Sequence, residues 1–306
     1  MYAYPAYPVY RPPRTPEGLK WTQVSFVIYF AVLAVQLVVA ILVASLFAGI
    51  GTGTDPTTFL NSILALVALG IVTFILMIVV LIFYFIGFGY MYGGRSEFGP
   101  DHSRNLGIAL YTVIAAVIVA PIGAVVSFVV GLSTLFSFPF DPAAIANAVM
   151  LTLILGMAFN LIVAVLVAAT LVLAVRAIAA PSHNMLLLAG AGIGCITPAV
   201  VGGLTIWQTS RILDLLSGAG FVSFDFGMGI PAALGSALGL ITMALFLIAY
   251  RGAANRLRTG ELKPTPQPMP VVPMVPVYPY PMVPPPAPLP PPTPSPATPP
   301  GPTPPP

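Results

Sequence analysis

The chain has 306 residues, of which 58% are hydrophobic and 6% charged, with a net charge of +3, and its mean hydropathy is +0.99. That is more apolar side chain than one water-soluble core can cover with polar surface, so the composition excludes a soluble globular protein and indicates a membrane domain. The eleven basic residues are scattered rather than clustered with stacking aromatics, which argues against a nucleic-acid groove, and a single cysteine, Cys195, excludes an intrachain disulfide framework or a Cys-rich metal site.

In chain order, residues 1–21 form a proline- and tyrosine-rich segment without the apolar region of a signal peptide, so the first hydrophobic stretch is expected to be retained. Residues 22–250 then hold six apolar stretches, roughly 22–50, 59–91, 106–137, 143–179, 185–209 and 227–250. Each is long enough to cross hydrocarbon as a helix, and several exceed the ~20 residues required, which predicts tilt or projection beyond the bilayer. The breaks between them carry turn chemistry: "GIGTGTDPTT", "GGRSEFGPDHSRN", "FSFPFDP", "APSHN" and "SGAGFVSFDFG". A basic juxtamembrane segment, 251–263, leads into a proline-rich tail, 264–306. The expected fold class is therefore an all-α, six-span membrane bundle, read as three helical hairpins with disordered tails.

Basic residues give the direction. Arg11, Arg14 and Lys20 precede the first span, Arg95 and Arg104 join the second to the third, Arg176 closes the fourth, and Arg251, Arg256, Arg258 and Lys263 follow the sixth. The opposite side holds Asp55, Asp141, Asp214 and Asp225, with Arg211 its one basic residue, so both termini are expected in the cytoplasm of a cell-membrane protein. The densest polar group, Arg95, Glu97, Asp101, His102 and Arg104, then falls in an inner loop where positive charge belongs. A solvated loop with Asp101 or Ser103 capping the third helix suits it better than an acid–base site built on His102, because nothing nearby supplies a nucleophile with an orienting partner.

An offset of 86 residues aligns "DPTTFLNSILALVALG" with "DPAAIANAVMLTLILG", and Pro100-x-His102 echoes Pro181-x-His183. The pattern is that of related hairpins, which a pseudosymmetric transporter or a duplicated structural unit would both produce. Asp55 and Asp141 already have a structural task, since Asp-Pro places a helix cap before the position where proline costs little. Mitochondrial carriers share a three-hairpin layout, but their Pro-x-acid-x-x-base signature is absent here.

No ionisable residue falls near the centre of any span, which counts against proton or ion transport. Gln36, Asn61, Asn147, Asn160, Thr152 and Thr170 are the uncharged polar residues available for interhelical hydrogen bonds. No zinc-protease, nucleophile-elbow or paired-aspartate pattern is present, so no catalytic residue, metal or cofactor is expected. Gly190 and Gly194, and then Gly227, Pro231, Gly235 and Gly239, make small-residue faces that predict close packing of the fifth and sixth helices or pairing with another copy. Pro121 and Pro198 are expected to kink their helices.

The final 43 residues carry no charge and are more than half proline, a composition that favours extended polyproline II. The N-terminal "YAYPAYPVYRPP" resembles the tail's "VPVYPYPMVP". Aromatic-lined grooves recognise such segments, which makes Tyr2, Tyr4, Tyr7, Tyr10, Tyr278 and Tyr280 the candidate contacts for a cytoplasmic partner.

With "TPEGLKW" entering the first span and "GGRSEFGPDHSRNLGIAL" entering the third, the chain resembles archaeal multi-pass membrane proteins classed as a domain of unknown function. The resemblance covers residues 15–260 and implies a compact six-helix membrane domain without supplying an active site. The expected role is a non-enzymatic scaffold or accessory subunit presenting its tails; the alternative is a channel or transporter for an uncharged or apolar solute.

Overall fold

A computed structural model describes residues 13–49, 56–135, 142–216 and 229–264. These form six helices: α1 (Arg14–Gly49), α2 (Pro56–Gly93), α3 (Pro100–Leu135), α4 (Pro142–Val175), α5 (Pro181–Leu216) and α6 (Ile230–Arg258). Among the described residues there is no strand. All six are long and apolar enough to cross a membrane, and the chain reads as a multi-pass membrane protein. The outward surface agrees with that solvent: Phe74 is 67% exposed, Phe128 65% and Leu188 60%. In water such a surface would be an aggregation liability, whereas in lipid it costs nothing.

Proline opens α2, α3, α4 and α5, at Pro56, Pro100, Pro142 and Pro181. Its missing N–H falls where no intrahelical partner exists, so these positions start helices rather than break them. Pro121 and Pro198 lie inside α3 and α5, and both helices continue through them. The four helices that begin on proline correspond to the turn signals in the sequence, although Asp55 and Asp141, the expected caps, lie outside the described residues.

Each helix packs chiefly on its neighbours in the order α2, α1, α6, α5, α4, α3, with a slight contact between α2 and α3. The buried core joins all six helices and is concentrated towards one end of the bundle. It joins Leu19 and Phe26 of α1, Phe88 and Met91 of α2, Leu106 and Ala109 of α3, Leu171 and Val175 of α4, Leu187 of α5, and Phe246 and Tyr250 of α6. Tyr250 is fully buried, donates its hydroxyl to the Leu171 carbonyl at 2.9 Å, and meets Phe26 edge-on with 4.8 Å between ring centroids. Burying an aromatic body while satisfying its hydroxyl secures both the packing and the polar part of its contribution.

Small residues set how closely the helices approach. A Cβ on Gly18 would lie 2.6 Å from the Gly87 carbonyl oxygen, and one on Gly87 would lie 2.7 Å from the Thr22 backbone nitrogen, so α1 and α2 cross backbone to backbone. On α5, Gly190 faces Leu245 and Phe246, and Gly194 faces Thr242, while Gly235 and Gly239 of α6 meet Val201 and Leu33. The small-residue faces of α5 and α6 are thus engaged within the chain; Gly227 lies outside the described residues.

Candidate functional site

The end of the bundle that holds the core also gathers the polar residues picked out by their density in the sequence. Helix α2 stops at Gly93, and a tight turn follows in which the Gly94 amide donates to the Tyr90 and Met91 carbonyls and the Glu97 amide donates to Gly94 at 2.9 Å. Gly99, at φ +90°, reverses the chain into Pro100 and α3. That value lies in the left-handed region, where a side chain would be strained.

Glu97 does not face solvent. It is 8% exposed, and its Oε1 and Oε2 accept the backbone N–H groups of Arg14 at 2.6 Å and Thr15 at 3.1 Å. Thr15 returns a longer bond from its hydroxyl to the Gly94 carbonyl, at 3.4 Å. A carboxylate from the second interhelical turn therefore caps the first helix. Those N–H groups have no partner inside α1, and negative charge beside them also complements the helix dipole. Gly94 is required for the approach, because a Cβ there would sit 2.5 Å from the Thr15 hydroxyl and 2.8 Å from Glu97 Oε2.

The rest of the cluster divides. Arg95 is exposed and folds back on Tyr92, its guanidinium donating to the phenol oxygen and lying 4.7 Å from the ring centroid. Asp101 and Arg104 are exposed. His102 is fully buried, edge-on to Phe98 at 5.7 Å, and neither ring nitrogen has a hydrogen-bond partner among the described residues. The expectation of a wholly solvated loop is thus corrected for Glu97 and His102, which tertiary contacts with α1 and the turn draw inward. The loop's charge density carried no sign of this, since the partner groups are backbone amides 82 and 83 residues away.

His183 holds the equivalent place in α5, the third residue of a helix that opens on proline. It is half-buried against α6, where a Cβ on Gly252 would strike its ring. Its Nδ1 and the neighbouring Asn184 Oδ1 are buried without a partner among the described residues. The two histidines belong to different corners of the bundle end, and among the described residues no group of three or more His, Cys, Asp or Glu can hold a metal.

Away from the packed end, residues of α1, α2, α5 and α6 line a cleft of about 710 Å³, with Leu33, Gln36, Thr73, Phe74, Val201 and Ser236 among them. It is mostly apolar, with Gln36, Thr73 and Ser236 as its side-chain hydrogen-bonding groups. Its size falls within the range of small-molecule sites. Arg211, on α5, stacks on Trp207 with 5.4 Å to the ring centroid, as expected of an interfacial aromatic and its basic neighbour. The tyrosines proposed as partner contacts, Tyr2, Tyr4, Tyr7, Tyr10, Tyr278 and Tyr280, lie outside the described residues. Comparison with protein-family models, curated proteins and solved structures finds no match.

Proposed function

We propose that the chain is a non-enzymatic membrane scaffold or accessory subunit that holds two proline- and tyrosine-rich tails together on the cytoplasmic side of the cell membrane. One observation supports this most directly: the start of α1 and the end of α6 are locked side by side. The Gln23 side-chain Nε2 donates to the Tyr250 carbonyl at 3.0 Å across 227 residues of sequence, and Phe26 meets the Tyr250 ring edge-on. Segments of matching composition therefore leave the bundle from adjoining helices. A partner with two aromatic-lined grooves, or two copies of a partner with one, would gain from their enforced proximity. The basic residues of this end favour the cytoplasmic orientation.

Crosslinked affinity purification of the full chain beside a version ending at Lys263 tests the reading. A protein recovered with the full chain, lost on truncation and weakened by Tyr278→Ala and Tyr280→Ala supports it. Identical recoveries from both chains would sink it.

The cleft between α1, α2, α5 and α6 favours a second reading, a channel or transporter for an uncharged or apolar solute. That activity would survive loss of residues 264–306 and fail when Gly235→Leu fills the cleft, as read by solute flux in reconstituted vesicles.

A further inference from the structure

The outward face of α6 changes character along its length. Ile241 and Ile248 are half exposed, and the same stripe continues through Arg251, Asn255 and Arg258, all exposed. These positions follow the i, i+3, i+4, i+7 spacing of one helix face. The opposite face, Ala249, Tyr250, Ala253 and Ala254, is buried in the core. Around this point the neighbouring charges are arranged asymmetrically. Arg256 is engaged, donating to the Ile178 carbonyl at 3.1 Å and pairing with Glu261 at 2.9 Å. Arg176, two residues before Ile178, is exposed, as is Lys263. Glu261 is held by Arg256, and Glu17, in the first turn of the adjoining α1, pairs with Lys20 at 3.8 Å.

We infer that the Arg251, Asn255 and Arg258 stripe is a docking surface for the anionic headgroups of membrane phospholipids. Charge complementarity and position carry the inference. The cations begin where the apolar part of the same exposed stripe ends, the position of headgroups on a spanning helix, where an arginine's aliphatic stem can lie along hydrocarbon while its guanidinium reaches the interface. Four basic residues, Arg251, Arg256, Arg258 and Lys263, directly follow a membrane-spanning run, the arrangement that recruits anionic lipid. An acidic protein would meet the same charges but not the apolar stripe that feeds into them.

The test uses the full chain in neutral detergent micelles, with binding of phosphatidylglycerol, phosphatidylcholine and inorganic phosphate measured by native mass spectrometry and by the shift in melting temperature. Phosphatidylglycerol is expected to bind and stabilise, and phosphatidylcholine to do neither. Replacing both arginines, Arg251→Gln with Arg258→Gln, should weaken phosphatidylglycerol binding about 30-fold, taking ~1 kcal/mol for each charge at the surface. Arg251→Lys with Arg258→Lys should keep most of it, which separates charge from any effect on folding. Equal binding of both lipids, unchanged binding by the glutamine variant, or displacement of the lipid by inorganic phosphate would each overturn the inference.

Discussion

Removing the Glu97 carboxylate should unfasten the first turn of α1. Its two bonds, 2.6 Å to the Arg14 amide and 3.1 Å to the Thr15 amide, are charge-assisted and 8% exposed. Hydrogen bonds to a charged group contribute about 1.5–3 kcal/mol each, and losing a helix cap costs about 1 kcal/mol. Because the two bonds share one carboxylate and the freed amides can take up water once the turn frays, we expect Glu97→Ala to cost about 3 kcal/mol locally rather than the full sum. Glu97→Gln keeps one acceptor but turns its amide donor toward a backbone donor, and about 2 kcal/mol is expected. Hydrogen exchange of the Arg14 and Thr15 amides reads this directly, since Glu97 is what holds them. A loss of 3 kcal/mol accelerates exchange by about two orders of magnitude. Exchange within about threefold of the parent protein, under 1 kcal/mol, would refute the capping role.

The backbone crossing of α1 and α2 predicts that Gly87→Ala, which places a Cβ 2.8 Å from the Gly18 carbonyl oxygen, costs about 1–3 kcal/mol in reversible unfolding from mixed micelles. Tyr250→Phe removes only the hydroxyl bond to Leu171 and should cost about 1 kcal/mol, while Tyr250→Ala empties the core and should cost about 3–5 kcal/mol. A similar loss from both variants would show that the hydroxyl, not the ring, dominates. His102→Leu should leave stability unchanged or raise it by about 1 kcal/mol, because the buried ring returns no hydrogen bond for its desolvation. A clear loss in the same unfolding assay would reveal a polar partner for the ring.

The six helices were legible in the sequence because hydropathy reports the one property that a bilayer selects. Their ends were less so. Helix α1 begins at Arg14 rather than near residue 22, α3 at Pro100 rather than 106, and α6 runs to Arg258 rather than 250. These added turns are polar, so a hydropathy pattern stops short of them. What holds them is capping by Glu97, proline at a helix start, and the Gly260 turn at φ +71°, where the Leu262 amide reaches the Arg256 carbonyl. "TPEGLKW" did carry a start signal in Thr15-Pro16, which a search for caps rather than apolar runs would have found. The small-residue faces of α5 and α6 were visible as spacing, but Gly18 and Gly87 stand alone in their helices' contact faces and gave no periodic sign. Glu97 and His102 were visible as residues and misleading as charges, because burial there depends on chain segments distant in sequence.

The long reach of the contacts at the packed end dictates an order of assembly. Of the six described helices α1 leaves the ribosome before the others, yet its opening turn stays uncapped until residue 97 has been made, and its flank at Gln23 stays unmatched until Tyr250 arrives. The earliest span is therefore the last to be fastened on both sides. Such non-local closure is slow and comes after local hairpin pairing. A chain interrupted before α6 would carry its first segment on a loose helix, and a protease sampling that end would distinguish finished molecules from unfinished ones.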